Sequence, residues 1–217
     1  MSSAIESIKH LFFTMDYDNI ILGLTLAESQ QISLSGLYNE LARVMTDCVF
    51  SPNVGWMNLP FHILLPQLQR IFTISIEYST LTSLSDTFGF LQGIFLLEIQ
   101  HCDIVKLPDS LQYLHRLKSF SMVDTPIEDL PMTLQMLPNL QCLYMRQTQI
   151  KNIPAVIAHC QHIKTLDLSE NAHLSEDLDW ELLANLPLEK LILSKRHEAC
   201  LPAKYKAIVH WSAEKVS

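Results

Sequence analysis

Glycine is scarce in this chain: five among 217 residues, and none after Gly93. That shortage excludes a GxGxxG dinucleotide turn, a GxxxxGK[ST] phosphate loop and a GxSxG nucleophile elbow, each of which needs glycine where backbone meets ligand. Charge is short as well, at 18% of residues, against about a quarter in ordinary soluble domains. Lys and Arg number 15 against 23 Asp and Glu, for a formal charge of −8. Nothing concentrates cations against phosphate, so nucleic acid is not an expected partner. The cysteines (Cys48, Cys102, Cys142, Cys160, Cys200) form an odd, scattered set without a CxxC pair. They read as reduced, packed thiols of an intracellular protein and not as a disulfide framework. Long apolar runs are missing too: Ile20–Leu24 is short, and Phe88–Ile99 is broken by Gln92, Gly93 and Glu98. A membrane span needs about 20 apolar residues. The first ten residues lack the basic and apolar regions of a secretory leader. The expected location is therefore the cytosol, of its own cell or of one into which it is delivered.

What the chain does have is a period of 23 residues. Leu111, Leu114, Leu117, Phe120, Met122, Thr125, Ile127 and Leu130-Pro131 recur as Leu134, Leu137, Leu140, Leu143, Met145, Thr148, Ile150 and Ile153-Pro154. One step back gives Phe88, Leu91, Ile94, Leu97, Ile99, Cys102, Ile104 and Leu107-Pro108. Another step back reaches Leu65, Ile74, Ile76, Leu81 and Leu84, where Ser85 stands in place of proline. Ile157, Cys160, Ile163, Leu166, Leu168 and Asn171 continue forward. Leu188, Leu191 and Leu193 form one more unit, displaced by the acidic insertion at residues 176–179. Upstream, Leu24 with Leu26 and Cys48 with Phe50 suggest two weaker units, for eight in all.

The pattern LxxLxxLxxLxLxxTxIxxLP resembles the leucine-rich repeat of the 23-residue class. It is similar to repeats in cytosolic proteins of the Ras-suppressor kind, in plant immune receptors and in leucine-rich effectors of intracellular bacteria. The resemblance implies an α/β solenoid, curved, with a parallel concave sheet of about eight repeats and helical caps. The boundaries that follow are an N-terminal capping helix over residues 1–19, repeats over 20–196 and a C-terminal cap over 197–217.

The residues support that architecture independently. In Leu97-Glu98-Ile99 the apolar side chains share one face of a short strand and Glu98 takes the other. The same alternation holds in Phe120-Ser121-Met122 and Leu143-Tyr144-Met145. Each Leu-Pro pair then suits a returning convex segment, because proline has no N–H for a sheet ladder. One position departs from the family pattern. Where leucine-rich repeats carry asparagine after the strand, the series here runs Ser29, Asn53, Ser79, Cys102, Thr125, Thr148, Asn171, Arg196. Ser and Thr have one donor against two in Asn, which predicts a patchier ladder, and Arg196 suggests that the run stops there.

Solenoid ends need caps. Ser3-x-x-Glu6 reads as a capping box before Ile5, Ile8, Leu11 and Phe12 at helical spacing. At the other end Pro202 opens a segment whose Tyr205, Ile208, Val209 and Trp211 can cover the last coil. A free amphipathic, peptide-binding helix is the alternative there.

Few residues suggest chemistry. His159-Cys160-Gln161-His162 offers at most three zinc donors, and Cys160 falls on a core position of the repeat. Glu176, Asp177, Asp179 and Glu181 lack calcium-loop spacing. No catalytic set, metal site or cofactor is expected. Binding residues are expected on the concave strands, where outward positions of successive repeats stack at about 4.8 Å. The candidates are Phe72, Glu77, Tyr78, Phe95, Glu98, His101, Asp124, Tyr144, Arg146 and Asp167. Large aromatics and Arg are anchor types at protein interfaces, and carboxylates beside them favour a partner with a basic surface. The expected function is non-enzymatic: a monomer recognises another protein and masks its functional surface, as a regulator or a bacterial effector. The alternatives are a self-associating scaffold and an enzyme of hydrolase type with its site on the concave face.

Overall fold

The computed structural model describes residues 2–48 and 60–212. Seven strands form one parallel sheet in sequence order: β1 (Thr73–Glu77), β2 (Leu96–Gln100), β3 (Ser119–Val123), β4 (Cys142–Arg146), β5 (Thr165–Asp167), β6 (Lys190–Leu193) and β7 (Val209–Trp211). Thr73 pairs with Leu96, Leu96 with Ser119, Ser119 with Cys142 and Cys142 with Thr165, so the sequence period is the sheet register. Alternation along each strand does the rest: Leu97 and Ile99 are buried, while Leu96, Glu98 and Gln100 are partly exposed on the concave side.

The convex return is a row of 3-10 turns at Asp86–Phe90, Asp109–Tyr113, Met132–Met136, Ala155–His159 and Trp180–Leu183. Pro108, Pro131 and Pro154 sit at the N-caps, with φ between −76° and −56°. Proline is pre-set for that dihedral and gives up no needed donor. Where Ser85 replaces proline, its Oγ accepts from the Thr87 amide at 3.3 Å and donates to Glu40 Oε2 at 3.0 Å.

That serine joins the repeats to an N-terminal helical unit made of α1 (Ser2–Phe13), α2 (Tyr17–Ser29), α3 (Ser35–Cys48) and α4 (Phe61–Leu68). The two upstream repeats expected from sequence are therefore corrected. Leu24, Thr25, Leu26 and Ala27 lie on α2, and Cys48 ends α3. Phe50 and Asn53 lie outside the described residues. The reason is local: Asp16 caps the Asn19 amide at 3.1 Å, and Ile20, Gly23 and Ala27 form a buried helical stripe. A Leu-x-Leu pair fits such a stripe as well as a strand. The expected capping box is also absent, because Ser3 lies inside α1 and Glu6 pairs with Lys9 at 3.3 Å. Close approach fixes three glycines, among them Gly89, where a Cβ would stand 2.6 Å from the Ser110 carbonyl oxygen. A Cβ on Gly23 would stand 2.6 Å from the Phe12 ring, and one on Gly93 would collide with the Gln69 carbonyl.

The helices seal the open end of the core. Phe12 stacks on Phe61 at 5.2 Å, while Phe13 stacks on Phe90 at 4.3 Å and on Tyr113 at 4.2 Å. The buried apolar residues then run as one cluster from Ile8 to Tyr205. At the far end, residues 203–205 make a 3-10 turn and residues 209–211 the seventh strand, in place of a free helix. Arg196 does not end the sheet, since its guanidinium binds the carbonyls of Ala172, Asn171 and Leu174 and β7 follows it.

The ladder after the strands is uneven, as the side chains predict. Asn171 is buried, accepts from the Thr148 amide and hydroxyl at 2.7 and 2.8 Å, and donates to the Met145 and Leu168 carbonyls. Cys102 makes long thiol contacts to Gln100 and Ile76 at 3.1 and 3.5 Å. The buried Thr125 hydroxyl has no hydrogen-bond partner among the described residues.

Candidate functional site

The concave face carries three columns of side chains. The first holds Thr73, Leu96, Ser119, Cys142, Thr165 and Lys190, the second Ser75, Glu98, Ser121, Tyr144, Asp167 and Ile192. The third starts at Glu77 and passes through Gln100 and Val123 to Arg146. The first column was absent from the sequence-derived candidates, although the alternation along each strand locates it one residue before the first core side chain.

Beyond the third column the chain does something that glycine usually does. Tyr78, His101, Asp124, Gln147 and Glu170 all have φ between 52° and 59°, and they recur once in each of the repeats of β1 to β5. A left-handed conformation costs a non-glycine residue about 1–2 kcal/mol, least for Asn and Asp. Here it sets five polar side chains along one rim, from the open Tyr78 to the mostly buried Glu170, a regularity that composition hid. The rings of Tyr78 and His101 stack at 4.8 Å and 10°. His101 Nδ1 meets Asp124 Oδ2 at 2.8 Å, and Gln147 donates to Glu170 at 2.9 Å. Tyr78 nevertheless remains 75% exposed. An open groove of about 300 Å³ lies beside this row, lined by His101, Cys102, Asp103, Asp124, Thr125, Pro126, Gln147 and Gln149.

The other candidates fall into separate places. Arg146 is tied within the molecule, to Glu170 and, at 3.9 Å, to the buried Asp167. Asp167 Oδ1 also accepts from the Ser169 amide at 2.9 Å. Tyr144 is half-buried beside them, and burial, reinforced by Cys142 and Asp167, raises its phenol above the ordinary value. Glu98 lies in the same column, two strands away. Glu77 is exposed and accepts from Ser75 at 3.0 Å. Phe72 and Phe95 lie just before β1 and β2, on the opposite edge of the ribbon from Tyr78, and are 48% and 43% exposed.

The sites set aside in the sequence have structural roles. Cys160 is buried, its thiol is pushed up to about 11 by burial, and it donates to the Val156 carbonyl, while His159 and His162 are exposed. A thiol held protonated is a poor metal ligand. Asp179 caps the Glu181 amide at 3.1 Å, and Leu178 anchors the acidic insertion in the core. Among the described residues, no group of three His, Cys, Asp or Glu side chains could hold a metal ion, and no helix is long and apolar enough to cross a membrane.

Comparison with known proteins places the architecture. No family model matches the sequence, and no curated protein matches it. Solved structures do. A leucine-rich-repeat protein of Leptospira interrogans is 21% identical, with a TM-score of 0.50 over 63% of this chain and 41% of that one. An internalin of Listeria monocytogenes is 19% identical, with a TM-score of 0.51 over 72% of this chain and 43% of its own. The chain thus spans less than half the length of either relative. The repeat register, the single parallel sheet and these likenesses agree: the chain has the leucine-rich-repeat fold, a solenoid sealed at its N-terminal end by helices.

Proposed function

We propose that this protein is a non-enzymatic binding module that holds another protein against the concave ribbon and its C-terminal rim. The observation that carries the reading is Tyr78: three-quarters exposed, in a left-handed backbone conformation, and stacked on a histidine that a carboxylate orients. An aromatic ring already fixed in place loses little entropy on binding, which is what an interface anchor requires. Glu77 precedes the tyrosine in the chain, and Asp103 and Asp124 line the groove at His101, so the partner presents basic side chains to this rim. Tyr144 and Glu98 extend the contact across the ribbon. Arg146 and Asp167 act as a brace beneath it, because they are already paired with each other. Occupying a partner's surface in this way masks that surface, which is the regulatory consequence we assign. The repeats over residues 73–211 are the binding unit and helices α1 to α4 the cap.

The test is affinity capture from the native cell, followed by mass spectrometry, with wild type beside two variants. Tyr78→Gly removes the ring at a position whose backbone glycine accepts freely, and Tyr144→Ala with Arg146→Ala alters the ribbon centre. Loss of the same captured protein from both supports the reading. Retention of every captured protein by both variants overturns it.

A further inference from the structure

Resting on the reading that the ribbon binds protein, the chemistry of its two edges says how the partner lies. The residues just before the strands form a row of their own. The Phe95 amide donates to the Phe72 carbonyl at 2.8 Å, and the Lys118 amide to the Phe95 carbonyl at 2.9 Å, so the three stand on successive repeats. Both phenylalanines are nearly half exposed, and the Arg116 guanidinium lies 6.0 Å from the Phe72 ring centre. Arg70 is exposed two residues before Phe72. None of Arg70, Arg116 and Lys118 forms an ion pair among the described residues. A hollow of about 360 Å³ beside them is lined by His115, Arg116, Gln69 and Gln92. Its one acid, Asp16, is committed to capping α2. In a chain of net charge −8 this is a local excess of cations around two open aromatic faces. The opposite rim is the reverse: the groove at His101 has two carboxylates, Asp103 and Asp124, and no Lys or Arg in its lining.

Six residues of extended chain separate Phe72 from Tyr78, about 20 Å. We infer that the partner contributes an extended segment running along the strands. Its acidic, aromatic end lies over Phe72, Phe95 and Lys118, and its basic end enters the groove at Asp103 and Asp124. The basic edge selects a carboxylate next to a large apolar side chain, because cations line it and exposed rings floor it. The acidic rim selects Arg or Lys. A segment laid in the reverse direction sets like charges together at both ends, so the polarity specifies orientation as well as composition. An anionic membrane offers the same carboxylate-like charge to the basic edge. The acidic rim about 20 Å away repels such a surface, which favours a peptide.

The experiment uses the full chain, labelled with nitrogen-15, and two blocked probes, acetyl-arginine amide and acetyl-Glu-Phe amide. The arginine probe is expected to shift amides around His101, Asp124 and Gln149, and the Glu-Phe probe those around Phe72, Phe95 and Lys118. Arg116→Glu with Lys118→Glu should weaken the second probe at least tenfold and leave the first unchanged. Two blocked heptapeptides then test whether both edges are read at once: Glu-Phe and Arg separated by four serines, and the same peptide with Glu in place of Arg. The first should bind at least tenfold tighter than the second. Equal affinity, or both probes settling on one edge, overturns the inference. So does binding to phosphatidylserine vesicles that Arg116→Glu with Lys118→Glu abolishes. If capture depends on Tyr78 while the heptapeptides bind equally, only the two-edge inference falls and the binding reading stands.

Discussion

A single residue type sets much of the behaviour of this chain: the non-glycine residue held at positive φ. At Tyr78 the strain and the exposed ring have one backbone cause, so Tyr78→Gly separates stability from binding. Relief of the left-handed penalty, about 1–2 kcal/mol, offsets a lost stack of similar size. Urea unfolding should therefore move by less than about 1 kcal/mol while partner capture is lost. Thr125 behaves in the opposite way. Its buried hydroxyl has no partner among the described residues, and a desolvated, unsatisfied hydroxyl is a cost that valine of the same shape removes. Thr125→Val should stabilise by about 1 kcal/mol in urea. Asn171→Ala should cost about 3 kcal/mol or more, since it strands Thr148 and two carbonyls inside the protein. His197 adds a pH dependence. It is fully buried, and burial, assisted by the Arg196 charge, holds its imidazole below the ordinary value. The Ser194 and Ser175 carbonyls at its ring nitrogens, and Glu176, pull the other way without reversing the shift. The unfolded chain then binds the proton more readily. This contribution to stability is complete above about pH 6.5 and is lost as the pH falls below that value toward the folded pKa. Comparing thermal unfolding of wild type and His197→Gln at pH 7.5 and 5.5 should show a smaller drop in the variant.

Among the elements, the N-terminal helices matter because each repeat touches only its neighbours. Phe13 spans that boundary by stacking on both Phe90 and Tyr113. Phe13→Ala should cost about 3 kcal/mol or more. In hydrogen exchange, protection should fall most in β1 and β2 and least in β5 and β6, as a linear array of neighbour contacts demands. A uniform loss across all strands would show that the solenoid opens as one unit. The strands themselves were legible because a buried repeat of constant length admits one register: Ile74, Leu97, Phe120, Leu143, Leu166 and Leu191 all enter the core where the spacing puts them. The helices before them were not, because Leu24-Thr25-Leu26 satisfies two periods and Asp16, the residue that decides, acts through its cap. The short β7 was equally hidden, since Val209-His210-Trp211 gains its meaning only when β6 is beside it. At the site, the candidate residues could be read from alternation. The pairing of Arg146 with Asp167 and Glu170, and the division of Phe72 and Tyr78 between two edges, needed three dimensions.

At the scale of the whole molecule, scarce charge gains force from its placement. The rim and the basic edge lie about 20 Å apart along the strands, two to three Debye lengths at physiological salt. Charges on the rim and on the basic edge therefore act on an approaching partner as separate fields, while the net charge of −8 sets the long-range attraction. Attraction of a basic partner acts chiefly on the association rate, and short-range contacts at Tyr78 act on dissociation. Raising sodium chloride from 50 to 500 mM should slow association about tenfold or more, with dissociation changed less than threefold, as read by surface plasmon resonance with the captured partner. Asp103→Asn with Asp124→Asn should flatten that salt dependence, because it removes the rim charge and leaves the ring. Tyr78→Gly should do the reverse, speeding dissociation with the salt slope intact. If salt acted on dissociation instead, the carboxylates would be making desolvated contacts in the bound state, and the rim would be the anchor in place of the tyrosine.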